Sequence, residues 1–187
     1  MEQADIFTDY DTTTAPARSR PALSAAERAF GFIPFALARW AASPALVEAF
    51  EATRKLFERS TLSHLEQEVV VLVVAYENDC ELCMALHSAV LARENVAPAL
   101  LQALRAGAAL PEPRLQALAE YTRRVLGTRG KVEASELTRL LDAGFSREQA
   151  LEVVLGVGAT TLSTFANRLT RAPVDPAFAA FEWKKPG

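Results

Sequence analysis

The stretch EQEVVVLVVAYENDCELCMALHSA, residues 66–89, decides the fold of this 187-residue chain. It begins with a long apolar run and ends with both cysteines and one of the two histidines in the sequence. Taken alone, the β-branched run over residues 69–76 is compatible with a buried strand. Ser63 and Glu66, however, have the S-x-x-E spacing of a capping box, which predicts a buried helix that begins at about His64. We expect this helix to end at residues 76–79.

A second predicted helix carries the cysteines, with Asn78 or Asp79 as its N-cap. On a helix, positions 80 and 87 almost superpose in angle and position 83 lies about 60° away, so Cys80, Cys83 and His87 share one face. Unpaired N–H groups and the positive end of the helix dipole favour a thiolate in the first turn. The i, i+3 spacing also keeps the cysteines within disulfide reach. The pattern therefore predicts an activated thiol, a resolving thiol and a base.

Glu68 is a fourth candidate for the same site. If the chain reverses at Glu77 and Asn78, Glu68 and His87 are equally far from the turn and face each other across two antiparallel helices. A carboxylate within an apolar run is costly to bury unless it is paired or hydrogen-bonded. We therefore expect Glu68 to orient His87 or to accept its proton.

The rest of the sequence is also typical of helices. Apolar residues follow a helical stripe after Pro44, and proline and glycine mark helix ends at Pro98, Gly107 and residues 111–127. A short helix is expected over residues 134–143, and Ser146 with Gln149 forms a second capping box before residues 147–170. We predict an all-α fold of about six to eight helices. Residues 1–28 are expected to be an arm, mobile or packed at an edge, and residues 29–187 a single domain.

Composition narrows the function classes. A net charge of −3 offers no basic surface for nucleic acid, and the apolar run over 69–76 is too short to span a bilayer. The acidic N-terminal segment lacks the apolar core of a signal peptide. Two cysteines in one CxxC are typical of redox or metal chemistry in a reducing compartment. We therefore expect a cytoplasmic protein without membrane or nucleic-acid partners.

The pattern Glu68-x11-Cys80-x2-Cys83-x3-His87 resembles the signature of the AhpD-like alkylhydroperoxidases, within the carboxymuconolactone decarboxylase-like superfamily. The similarity covers roughly residues 30 to 180 and includes PRLQALAEYTRRVLGTRGKV, residues 113–132. FGFIPFALARWAASPALVEAF, residues 30–50, resembles the N-terminal helices of the longer, peroxidase-related branch. The chain departs from the best-known family member at Leu82, where that protein has a histidine.

The resemblance implies a thiol peroxidase that reduces organic hydroperoxides to alcohols without a cofactor. It assigns Cys83 as the attacking thiol, Cys80 as the resolving thiol, and His87 with Glu68 as a proton relay through a water. A dithiol reductant of the dihydrolipoamide or thioredoxin type would reopen the Cys80–Cys83 disulfide. Because Cys83 lies one turn from His87, we also expect Cys83 to be the more acidic and more exposed thiol.

Other interpretations of the same residues stay open. The two cysteines are alternatively small buried residues, or a redox sensor without turnover. A zinc site would take Cys80, Cys83 and His87, with His64, Glu68 or water as fourth ligand. A decarboxylase of the lactone type would share the fold but has no need of a dithiol.

Further side chains have expected roles outside the chemistry. Asn167 is expected either to hydrogen-bond near the site or to join two helices. The aromatic residues at 32, 35, 40, 50 and 57 are expected in the core or in an interface. We also predict a homo-oligomer, because FGFIPFALARW and FAAFEW are hard to bury within one helical core.

Overall fold

The computed structural model describes residues 6–186, and over that range the chain is entirely helical, with no strand. The nine α-helices are α1 Arg20–Phe30, α2 Phe35–Trp40, α3 Pro44–Glu58, α4 His64–Glu77, α5 Glu81–Arg93, α6 Pro98–Ala106, α7 Pro113–Gly127, α8 Ala134–Asp142 and α9 Arg147–Thr170. A 3₁₀-helix follows at Pro176–Phe181. The all-α prediction is confirmed.

The predicted count of about six to eight helices is too low, because α1 begins in the segment expected to be an arm and α2 was implied only by the resemblance over residues 30–50. Helix α1 begins inside the segment predicted to be an arm, with Pro21 in its first turn, and ends at Gly31, whose φ of 79° stops the helix. Helix α2 has only six residues, too few to show a helical period. The seven helices from Pro44 onward match the segments predicted from sequence.

Helix α4 is the centre of the molecule. It contacts α3, α5, α6, α7 and α9, and its apolar residues are almost fully buried on every side. Ser63 and Glu66 form the predicted capping box at its start. The continuous apolar run is thus explained by helices that surround α4, and the cap determines that the run is a helix rather than a strand.

Helix α9, the longest, crosses most of the bundle. It has 24 residues and contacts α2, α3, α4, α5, α7 and α8. Gly156 lets α3 approach it closely, since a Cβ there would stand 2.5 Å from the Phe57 ring. Within residues 6–186, no helix is both long and apolar enough to cross a membrane.

The N-terminal and C-terminal segments pack onto the helices of their own chain. Within FGFIPFALARW, Trp40 is 5% exposed, and Phe32, Ile33 and Phe35 are partly buried. At the other end Trp183 is buried, and its indole nitrogen donates to the Arg105 carbonyl at 2.7 Å. The expectation that these segments are hard to bury in one chain is therefore wrong for most of their apolar surface. Phe30, which is 52% exposed, is the main exception.

Candidate active site

The turn between α4 and α5 places the first cysteine at a helix start. Asn78 ends α4, and Asp79 reverses the chain with a φ of 52°. Cys80 is the N-cap of α5, and its Sγ accepts the backbone N–H of Cys83 at 3.4 Å. The prediction of Asn78 or Asp79 as N-cap is wrong: the Asn78 amide donates to Thr164 instead, and Asp79 has a left-handed backbone. The Cys80 sulfur consequently lies at the positive end of the α5 dipole.

Glu68 and His87 are in contact, as the equal distances from the turn predict. His87 Nδ1 lies 2.9 Å from Glu68 Oε2, and the Glu68 side chain is only 9% exposed. An ionised carboxylate has no proton to donate, so Nδ1–H is the donor and Nε2 is left to exchange protons. Burial lowers the pKa of His87, but the charge and hydrogen bond of Glu68 outweigh it, and the net effect is a raised pKa.

The two thiols differ in acidity. The hydrogen bond that the Cys83 S–H donates is the main reason why the pKa of Cys80 falls to about 7. The backbone N–H of Cys83, the Asn167 amide and the nearby charge of His87 lower it further, against the opposing effect of burial. The pKa of Cys83 is raised, first because its proton is held by Cys80 and then by burial and by the Cys80 charge.

The expectation that Cys83 is the more acidic thiol is therefore wrong for the reduced protein, whereas the difference in exposure is small and in the predicted direction. Both thiols are free, and both are buried, with Cys80 1% and Cys83 4% exposed. Closeness to His87 along the helix was the basis of that prediction. The N-cap position and the shared S–H proton outweigh it, and they stabilise negative charge on Cys80.

Helix α9 contributes polar side chains that cover the sulfurs. The Asn167 amide nitrogen lies 3.2 Å from Cys83 Sγ and 3.6 Å from Cys80 Sγ. The Ser163 hydroxyl is 3.9 Å from Cys83 Sγ and donates to the Thr160 carbonyl. Of the two roles considered for Asn167, the structure shows the contact with the site. Ser163 was not predicted, although the polar residues at 160, 163, 164 and 167 share one face of α9, which is the signal that points to it.

An open depression of about 380 Å³ adjoins the site. Cys80, Leu82 and Asn167 line it, together with Arg168 and Pro173. Arg168 is held there by an ion pair with Asp79 at 3.0 Å. A small molecule in this depression would lie beside the N-cap sulfur.

The residues considered for zinc do not form a set of metal ligands within residues 6–186. His64 lies at the surface, where its Nε2 pairs with Glu94 Oε1 at 2.9 Å. Glu68 is occupied by His87. Within residues 6–186 no group of three or more His, Cys, Asp or Glu side chains is placed to hold a metal ion.

The aromatic side chains considered as core or interface residues pack against other parts of the same chain. Trp40 meets Phe50 edge-on with ring centroids 5.0 Å apart. Phe57 is buried against α9, and Phe32 packs on Phe178. Phe35 begins α2, and its backbone N–H donates to Asp175.

No family model matches the sequence, and no curated protein is similar to it. Solved structures do share its fold. One is described as the alkylhydroperoxidase AhpD core, an uncharacterized peroxidase-related protein from Ralstonia eutropha JMP134. It superposes with a TM-score of 0.82 at 20% identity, over 95% of this chain and 96% of that one. An uncharacterized peroxidase-related protein from Silicibacter sp. TM1040 gives 0.77 at 19% identity, over 94% and 95%.

A third solved structure of the same fold carries a different activity in its name. It is a cysteine-to-alanine variant of the debrominase Bmp8 in complex with 2,3,4-tribromopyrrole, with a TM-score of 0.71 and 16% identity over 94% of this chain and 95% of that one. At these identities the likeness is one of fold. The chain has the helical fold of these AhpD-core and peroxidase-related structures.

Proposed function

We propose that this protein is a thiol-dependent peroxidase that reduces organic hydroperoxides to alcohols through a Cys80–Cys83 dithiol and disulfide cycle. The observation that carries the proposal is a pair of free, buried cysteines at a helix start, both within reach of the Asn167 amide and beside the paired His87 and Glu68. A thiolate is the nucleophile in peroxide reduction, and a second thiol within disulfide reach removes the product of that step. A purely structural role for the cysteines would not require the carboxylate–imidazole pair.

Atoms, protons and electrons balance in the proposed cycle, which uses the two cysteines, His87, the hydroperoxide and an external dithiol. Cys83 passes its proton to the Cys80 thiolate, and the Cys83 sulfur attacks the terminal oxygen of ROOH, which breaks the O–O bond. Cys83 becomes a sulfenic acid, and the alkoxide takes the proton of the His87 imidazolium to leave as ROH. Cys80 then attacks the sulfenic sulfur, and water leaves as the disulfide forms. An external dithiol of the dihydrolipoamide or thioredoxin type reduces that disulfide by exchange.

The order of the two thiols combines two arguments. The family resemblance assigns Cys83 as the attacking thiol. The lowered pKa of Cys80 and the raised pKa of Cys83 instead favour Cys80 as the thiolate before peroxide reacts. The two are compatible because the sulfurs already share a hydrogen bond, so one proton transfer moves the charge to Cys83. Asn167 donates to both sulfurs and stabilises the thiolate on either side of that transfer.

The test is peroxide turnover by the purified protein with an organic hydroperoxide and either dihydrolipoamide or thioredoxin as reductant. We expect turnover in the wild type and its loss in both Cys80→Ser and Cys83→Ser. A sulfenic-acid trap should label Cys80→Ser at Cys83, and labelling of Cys83→Ser instead would reverse the order of the thiols. A disulfide that forms and reopens without consumption of peroxide would support a redox sensor and contradict the enzyme.

The proton relay is tested by Glu68→Gln. Loss of a general acid–base group costs about 10²-fold or more, so we expect kcat to fall by about 10²-fold while the protein stays folded. Glu77→Gln is the matched control, since Glu77 is on the same helix but is exposed and pairs with Arg123. Because Bmp8 shares the fold, 2,3,4-tribromopyrrole belongs in the substrate panel, and its debromination in place of peroxide reduction would replace the proposed reaction.

A further inference from the structure

The outer face of α9 carries an exposed apolar stripe. Leu151 is 73% exposed, Phe165 59% and Leu169 72%. Partly buried leucines and one exposed glycine complete the row, which we name the α9 stripe: Leu151, Leu155, Gly158, Leu162, Phe165 and Leu169. Contiguous exposed apolar surface of this kind is typical of an interaction site rather than of a free monomer surface.

The spacing of the α9 stripe is that of a helix pair. Successive members are four, three, four, three and four residues apart, the alternation that keeps one seam facing a second helix. The series is also the same when read from either end, with its centre at position 160. An antiparallel second copy of α9 therefore places 151 opposite 169, 155 opposite 165, and 158 opposite 162.

Gly158 is a second, independent observation. A Cβ at this position would meet nothing within 4 Å, so packing within the described chain does not require a glycine there. Glycine in a helix interior is less stable than alanine, so its presence calls for a reason. Two residues earlier, Gly156 is explained by packing within the chain, because a Cβ there would collide with Phe57. At the centre of the α9 stripe, a glycine permits the close approach of another helix backbone.

Charges at the two ends of α9 favour the antiparallel orientation. Glu148 and Glu152 lie near its N-terminus, and Arg168 and Arg171 near its C-terminus. An antiparallel partner brings acidic side chains beside basic ones, with 152 opposite 168, and also opposes the two helix dipoles. A parallel partner would bring like charges together.

We propose that the α9 stripe binds the α9 stripe of a second copy of this chain and forms a two-fold symmetric dimer with antiparallel α9 helices. Such an interface is isologous, so one self-complementary surface is sufficient. Arg168 also borders the depression at Cys80, so the start of the partner's α9 lies at the rim of the candidate site. The interface does not depend on the peroxidase chemistry.

Sedimentation of the full chain at micromolar concentration tests the dimer. We expect a particle of twice 20.3 kDa, or a larger even assembly of such dimers. Phe165→Arg should halve the mass, with at least a tenfold rise in the dissociation constant. Phe30→Arg is the matched control, because Phe30 is a similarly exposed phenylalanine outside the α9 stripe. A monomeric wild type, or a mass that changes with Phe30→Arg but not with Phe165→Arg, would overturn the proposal.

Cross-linking tests the orientation. Positions 155 and 165 are about 15 Å apart along one helix, too far for a disulfide within a chain. In an antiparallel dimer the double variant Leu155→Cys/Phe165→Cys should form a covalent dimer on mild oxidation, whereas neither single variant should. Wild-type protein under the same oxidant controls for Cys80 and Cys83, which are buried. Covalent dimers from either single variant would show parallel helices and overturn the register.

Discussion

One negative charge is shared between two sulfurs at the start of α5. Cys80 holds it at the N-cap because three kinds of N–H or S–H donor converge on its sulfur: the Cys83 thiol, the Cys83 backbone and the Asn167 amide. Cys83 keeps its proton because giving it up would bury a second negative charge beside the first. The acidity of each thiol is thus a property of the pair and not of its distance from His87.

The first prediction concerns the pH at which the thiolate forms. Wild-type protein should show thiolate ultraviolet absorbance with a midpoint near pH 7, the pKa of Cys80. Removal of the donors in Cys83→Ala or Asn167→Ala should raise that midpoint, more in Cys83→Ala, because less of the charge is stabilised. Ser163→Ala should leave it in place, since this hydroxyl contacts Cys83. An unchanged midpoint in Cys83→Ala would contradict the shared proton.

Helix α9 has three faces with different surroundings: the two sulfurs, helix α3 and the outer surface. Its buried polar face meets the sulfurs through Asn167 and Ser163, and Gly156 lies against α3. Its outer face is the apolar α9 stripe. This helix contains two glycines and a run of hydroxyl residues, which have low helix propensity. Its composition is explained by the contacts that each face makes and not by helix propensity.

The second prediction belongs to the contact between α3 and α9. Gly156→Ala should destabilise the fold by about 1–3 kcal/mol, because the new methyl group would stand 2.5 Å from a Phe57 ring atom and 3.0 Å from Val70 Cγ1. Gly127→Ala is the control, since a Cβ at that helical position meets nothing within 4 Å. It should leave stability unchanged or raise it by up to about 1 kcal/mol. The measurement is denaturant unfolding of both variants. Equal unfolding midpoints for Gly156→Ala and Gly127→Ala would contradict the close contact between Gly156 and Phe57.

At the scale of the whole molecule, local signals in the sequence predicted the helices from Pro44 onward and the pairing of Glu68 with His87. Capping boxes and prolines set the helix starts, and the turn at residues 77–79 set the register between α4 and α5. The order of thiol acidity was predicted wrongly, because the sequence argument placed Cys80 inside the helix instead of at its N-cap and left out the hydrogen bond from Cys83 to Cys80. Burial of the C-terminal segment was missed because the partners of Trp183, which are Tyr76 and the Arg105 carbonyl, are far away along the chain.

The last prediction concerns how much the C-terminal segment stabilises the fold. Trp183 packs against Tyr76 of the central helix with tilted rings whose centroids are 5.7 Å apart, and its indole N–H donates to the Arg105 carbonyl. The Arg105 guanidinium in turn donates to the carbonyls of Phe181 and Glu182, so the segment is held from both sides. Trp183→Ala should therefore cost about 3–5 kcal/mol of unfolding free energy, the range for a buried tryptophan.

Two further variants separate packing from hydrogen bonding at this position. Trp183→Phe keeps an aromatic ring against Tyr76 but loses the indole N–H, and we expect it to cost less than Trp183→Ala by about 2 kcal/mol. Lys184→Ala, at the next and exposed residue, should have little effect. Thermal or denaturant unfolding measures all three. If Trp183→Ala has the same free energy of unfolding as the wild type, the C-terminal segment does not stabilise the fold, because Trp183 is its largest buried side chain.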